Sequence, residues 1–200
     1  MKSIQLIAFD LFGVVISDGH LVTNGLLPLL PHLTKAAVKP HYDAYTSGKI
    51  TEAAFWEGIG VAMDSPIRQH FLDSFVLDAE LTQVVTALQG RYRLGILSNL
   101  GAEWGEVLDA RFDFRANFEP RIISGEVQCQ KPEPAIYQVL LCASGIAGEN
   151  IAFIDDRREN LAVAHEFGMT TIHYQREPDQ HPFEPDYTIQ RLSEVLALLC

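Results

Sequence analysis

"IQLIAFDLFGVV", residues 4–15, climbs through apolar side chains, sets one carboxylate at Asp10 and turns at Gly13 into apolar residues again. A short apolar run closed by a glycine turn reads as a β-strand buried on both faces of a sheet. An acid inside such a run costs several kcal/mol when it is buried without partners. Asp10 therefore lies either at a strand end reached by water or at the mouth of the sheet, held there as a reactive group.

The same pattern recurs in "YRLGILSN" (92–99), "RIISG" (121–125), "NIAFIDD" (150–156) and "TTIHY" (170–174). Segments of helical period lie between these runs. Leu81, Val84, Val85 and Leu88 recur at i, i+3, i+4 and i+7 and stop at Gly90. "EPAIYQVLLCASG" opens with Pro134 and closes at Gly145, and "ENLAVAHEFGM" closes at Gly168, so each carries a glycine stop. Strand alternating with helix predicts an α/β fold, a Rossmann-like parallel sheet covered on both faces. The tail "DYTIQRLSEVLALLC" predicts an edge strand and a closing amphipathic helix.

Residues 17–77 break this rhythm with helix-like pieces and no buried strand. Thr51 is the expected N-cap of "TEAAFWEGIGVAM", and Ser65 followed by Pro66 is an N-cap with proline at the first helical position. The prolines of "LLPLLPHL" fix a bend. This organisation predicts a core domain from residues 1–16 and 78–200, with 17–77 as a small helical insert.

Composition narrows the function. The chain has 200 residues, 48% hydrophobic and 20% charged, which suits one domain with a small second lobe. A formal net charge of -11 argues against a nucleic-acid or anionic-membrane surface, since both repel an acidic protein. Although Lys2 precedes an apolar stretch, Asp10 interrupts it and no signal-peptide cleavage site follows. No apolar run is long enough to span a membrane. Cys129, Cys142 and Cys200 are odd in number and lack zinc-site spacing, which points to a reducing, cytoplasmic setting.

Ligands of an open parallel sheet bind beyond the carboxyl ends of its strands, near the switch in strand order. Asp10 ends the first expected strand, Ser98 and Asn99 the second, and Asp155 and Asp156 the fourth, while the loop after the third carries Lys131. Singly, each has a plain structural role as a cap, turn or surface residue. Together, three converging carboxylates repel one another and need neutralising. A hard divalent cation such as Mg²⁺ does so with oxygen ligands. A lysine and a hydroxyl then supply donors suited to a phosphoryl group.

Asp10 in "FDLFGVV", Ser98 in "ILSN", Lys131 in "CQKPEPAIY" and the pair in "FIDDRREN" resemble, in that order, the four motifs of the haloacid dehalogenase-like (HAD) hydrolase superfamily. The resemblance covers nearly the whole chain. The insert is similar to the helical cap placed after motif one, and "SGKITEAAFW" is similar to cap segments of the epoxide-hydrolase N-terminal-like phosphatases. It implies Asp10 as nucleophile, forming an aspartyl-phosphate that water hydrolyses. It also implies Mg²⁺ held by Asp10, the Phe12 carbonyl and Asp156, with Asp155 assisting. Ser98 and the Asn99 N–H would bind phosphate, and Lys131 would pair with Asp10 and the phosphoryl group. Asn160 would hold the metal shell or the Lys131 loop. The implied substrate is a small phosphorylated metabolite.

One position departs from the pattern. Phosphatases of this superfamily usually place a second Asp two residues after the nucleophile as general acid and base; here that residue is Phe12. Loss of such help typically costs roughly 10²–10⁴ in rate. Asp18 and His20 are nearby alternative acids. An aromatic at this position also resembles the metal-independent 2-haloacid dehalogenases, although the acidic pair Asp155/Asp156 and Val14 in place of a hydroxyl run against them. A weakly active binding protein on the same scaffold is the third reading. Tyr42, Tyr45, Phe55 and Trp56 are expected in the core rather than in a pocket.

Overall fold

The computed structural model describes residues 3–17, 19–178 and 180–199. Six parallel strands, β1 (Leu6–Phe9), β2 (Arg93–Ser98), β3 (Arg121–Ile123), β4 (Ile151–Asp155), β5 (Thr170–Tyr174) and β6 (Tyr187–Ile189), form one sheet in the order β3-β2-β1-β4-β5-β6. This is the expected α/β Rossmann-like sheet. The first run frays at its start: Gln5 keeps backbone bonds to Asn150 and Arg93, at 2.8 and 2.9 Å, but β1 proper begins at Leu6.

Alternation along the strands divides the core into two faces. Ile7 and Phe9 pack with Leu94, Ile96 and Ile154 on one face. Leu6 and Ala8 pack with Leu97, Ile151 and Phe153 on the other. Helices α8 (Pro134–Ser144) and α9 (Arg158–Glu166) cover the second face through Ile136, Tyr137, Leu140 and Leu161. Both end as the glycines suggested, with Gly145 and Gly168 at positive φ. The first face carries α4 (Leu81–Leu88), α5 (Ala102–Phe112) and the short C-terminal α10 (Val195–Leu199).

Between β1 and β2 the chain makes a wide helical turn at Leu21–Leu26 and then α1 (Lys35–Thr46), α2 (Glu52–Gly58) and α3 (Pro66–Asp73). Thr51 and Ser65 cap α2 and α3 as expected, accepting the amide protons of Ala54 and Ile67. The segment's two ends run side by side, with Ser17 N–H donating to Val76 O and Asp78 N–H to Val15 O, at 2.9 and 2.8 Å.

An aromatic cluster joins this segment to the sheet. Tyr45, Phe55 and Phe71 surround Trp104 of α5 with ring centroids 4.7, 5.3 and 5.0 Å away. A Cβ at Gly101 would lie 2.0 Å from the Tyr45 ring, so only glycine permits that approach. Glu52 accepts hydrogen bonds from the Trp56 and Trp104 indoles at 2.9 and 2.7 Å and a two-pronged pair from Arg68 at 2.8 and 2.9 Å. Burial raises the Glu52 pKa, but these donors outweigh it and hold the carboxyl below its usual range.

Replacing Glu52 by Ala leaves Arg68 and two indoles without their acceptor. It is expected to cost about 3 kcal/mol, read from the urea midpoint. Adding Arg68→Met should recover part of the loss by removing the uncompensated charge.

Among the described residues, no helix is long and apolar enough to cross a membrane. Cys129 and Cys142 are free thiols, while Lys2 and Cys200 lie outside the described residues.

Candidate active site

The strand order reverses at β1: the chain moves outward through β2 and β3, then returns to place β4 on β1's other side. Asp10 and Asp155 meet at that crevice because Phe9 is in register with Ile154 and the Asp10 amide donates to Ile154 O at 2.9 Å. Ser98 closes β2 beside them. Parallel strands thus bring three of the sequence-predicted residues, Asp10, Ser98 and Asp155, to one edge.

Lys131 lies between the carboxylates. Its Nζ is 2.9 Å from Asp10 Oδ2 and 2.7 Å from Asp155 Oδ2, and the side chain is almost wholly buried. Burial pulls its pKa down, but the two carboxylates outweigh that and hold it above the usual lysine value. The loop is fixed by Asn99, whose side chain donates to Lys131 O at 2.7 Å and accepts from Lys131 N at 2.8 Å. Of the two roles expected of Asn160, the metal shell or the Lys131 loop, its contacts match the first: its amide donates to both Asp155 oxygens at 3.0 Å.

Asp155 is well supplied, because the Arg157 amide also donates to it at 2.8 Å. Asp156 is not. Burial, followed by repulsion from Asp155 and Asp10, pushes its pKa up to about 8. Asp10 is pushed up to about 6, chiefly by burial, with Lys131 opposing and Asp155 adding to the rise. Leu11 N–H donates to Asp10 Oδ1 at 2.6 Å and orients the carboxylate.

Oxygens of Asp10, Asp155 and Asp156 lie within 4.8 Å of one another, a carboxylate donor set that fits a hard divalent cation. Two further observations agree with that fit. Among the described residues, no hydrogen bond engages the Phe12 carbonyl. The buried Ser98 hydroxyl has no well-formed protein partner. Gly13 has φ +84°, and a Cβ there would lie 2.4 Å from Asp156 Oδ2, so glycine makes room for that carboxylate.

Asp10, Ser98, Lys131 and Asp156 line a cleft of about 390 Å³ that α1 also lines. The Phe12 ring is buried edge-on against Phe75, with centroids 5.2 Å apart, and offers no proton. His20 reaches the cleft mouth, where Nε2 lies 3.1 Å from exposed Glu177. Asp18 lies outside the described residues. Tyr45, Phe55 and Trp56 are core, as expected. Tyr42 is not: it lines the cleft with Asp10, Ser98 and Lys131. Burial and then the Asp10 charge raise its pKa, so its hydroxyl stays protonated.

A family model described as haloacid dehalogenase-like hydrolase matches residues 4–168. A phosphoserine phosphatase from Thermus thermophilus is 32% identical over 82 residues, which are 40% of this chain and 33% of that protein. The chain thus matches about a third of that relative's length. Among solved structures, a HAD family enzyme from Bacteroides thetaiotaomicron in its magnesium complex has TM-score 0.74 and 25% identity, over 90% of this chain and 97% of the other. Its complex with magnesium and inorganic phosphate gives TM-score 0.70 and 23% identity, over 89% and 98%. The L-2-haloacid dehalogenase RSc1362 has TM-score 0.75 and 19% identity, over 98% and 99%. With four ordered motifs converging on one crevice and a family model spanning most of its length, the chain belongs to the haloacid dehalogenase-like hydrolases.

Proposed function

We propose that this hydrolase is a Mg²⁺-dependent phosphatase acting on a small phosphorylated metabolite, with residues 17–77 as its cap and a reducing, cytoplasmic setting. The observation that carries the reading is the cluster of buried Asp10 and Asp155 with half-buried Asp156, in which a single lysine pairs with the first two. Without a cation, three carboxylates at that spacing oppose one another. The Thermus relative and the magnesium and phosphate complexes of the Bacteroides enzyme support the same choice.

Asp10, oriented by the Leu11 amide, attacks phosphorus in line as the bond to the alcohol oxygen breaks, and carries the phosphoryl group as an acyl phosphate that water then hydrolyses. Lys131 neutralises the gathering negative charge from the sheet side. The Ser98 hydroxyl and the Asn99 N–H bind phosphoryl oxygens, and Asn99's side chain keeps Lys131 at its station. Asn160 holds Asp155, which in turn holds Lys131. Asp10, Asp156 and the Phe12 carbonyl, with Asp155 in support, would hold Mg²⁺, which when bound would supply positive charge to the carboxylates and to the transferring group.

The test is phosphate release from sugar phosphates, nucleotides and an aryl phosphate, with Mg²⁺ or with chelator. Release only with Mg²⁺ supports the reading. Metal-independent halide release from 2-haloacids with no phosphate release would replace it with the dehalogenase.

Metal binding also has a stability signature. In the metal-free protein the raised Asp156 pKa makes ionisation cost more in the folded than in the unfolded chain. Stability is therefore lost as pH rises from about 4 to about 8. Mg²⁺ is expected to raise the thermal midpoint, by about 2.7 kcal/mol of stability at a hundredfold excess over Kd. The gain should be larger at pH 8 than at pH 5, as scanning calorimetry would show.

A further inference from the structure

Phe12 leaves the departing alcohol without a carboxyl at the position where the sequence pattern leads one to expect it. In an in-line displacement the leaving oxygen departs on the side of phosphorus away from Asp10, into the cleft lined by α1 and the segment before it. Donors on that lining differ in availability. Lys39 pairs with Asp43 at 2.6 Å, and His20 faces Glu177. Thr23 and Lys35 are exposed to solvent. Tyr42 is half-buried, its ring set against Phe55 and Trp104 at 6.5 and 6.4 Å, and no partner among the described residues takes its hydroxyl. A phenol held by its ring, lining the same cleft as the nucleophile and with no hydroxyl partner among the described residues, is a pre-positioned donor.

We propose that Tyr42 donates a hydrogen bond to the ester oxygen of the leaving alcohol, serving from the cap where position 12 does not. The assignment rests on the phosphatase reading. As the bond from Asp10 oxygen to phosphorus forms, the bond from phosphorus to the alcohol oxygen breaks and its electron pair stays on that oxygen. Tyr42 meets the resulting charge and keeps its own proton. Solvent water in the open cleft protonates the alcohol and leaves hydroxide. That hydroxide accepts the proton of the water that later attacks the aspartyl-phosphate, so the net change is ester plus water to alcohol plus phosphate.

The test compares Tyr42→Phe with wild type on p-nitrophenyl phosphate, whose leaving group needs little help, and on simple alkyl phosphates, whose leaving groups need much. Phe keeps the ring packing and removes only the hydroxyl. The expected result is a kcat loss of roughly 10- to 100-fold on alkyl phosphates, little change on the aryl ester, and an unchanged Mg²⁺ shift of the thermal midpoint. Equal losses on both classes, no loss on either, or a change confined to KM would overturn the role of Tyr42 while leaving the phosphatase reading intact. Wild-type protein without Mg²⁺- and Asp10-dependent turnover would overturn both.

Discussion

Asp10→Asn is expected to lower turnover by on the order of 10⁴-fold or more while leaving the fold intact. The amide matches the carboxylate in shape but is no nucleophile, and it removes one of the three charges gathered at the crevice. Lys131 keeps Asp155 at 2.7 Å, so no buried charge is orphaned. The sign of the stability effect follows from the raised Asp10 pKa. Above about pH 4 the unfolded chain ionises Asp10 freely, while the folded chain ionises it only toward pH 6 and at a cost. The variant should therefore be at least as stable as wild type at pH 7 without metal, and should gain less from Mg²⁺. Thermal unfolding with and without Mg²⁺, beside phosphate release, separates the two effects. A variant that loses activity because it unfolds would contradict the assignment.

Lys131→Met is expected to damage both activity and stability. Methionine fills the lysine's space but strands Asp10 and Asp155 in a buried site without their cation. Breaking a buried pair in this way costs about 3–5 kcal/mol. The loss should shrink as pH falls from 8 to 5, because Asp10, already raised by burial and no longer opposed by the Lys131 charge, can then hold a proton. Added Mg²⁺ should recover part of it by supplying charge to the same oxygens. Urea unfolding at the two pH values, with and without Mg²⁺, checks this. A pH-independent loss would mean that Lys131 acts through packing rather than charge.

Much of the fold was legible in the sequence because its signals are local. Gly145 and Gly168 stop their helices at positive φ, Thr51 and Ser65 cap theirs, and the apolar runs form strands within a residue or two of their expected ends. The site residues Asp10, Ser98, Lys131, Asp155 and Asp156 converge because parallel strands deliver their carboxyl ends to one edge. Contacts that depend on side-chain direction were not legible. Asn99 was expected to act through its backbone, yet its side chain grips the Lys131 loop across 32 positions of sequence. Nothing local in the sequence pairs Glu52 with Trp104, 52 residues away, whose indole donates to it. Tyr42 and Tyr45, three positions apart on α1, read alike in sequence. The rotation of the helix buries Tyr45 against Trp104 and turns Tyr42 to the cleft.

The most direct test of the central claim is to quench the enzyme during turnover of a phosphorylated substrate with Mg²⁺ and to map any covalent adduct. The account predicts a phosphoryl group on the peptide carrying Asp10, absent when Mg²⁺ is chelated and absent in Asp10→Asn. An Asp10 peptide that stays free of phosphate but takes up an alkyl ester from a 2-haloacid without metal would contradict it.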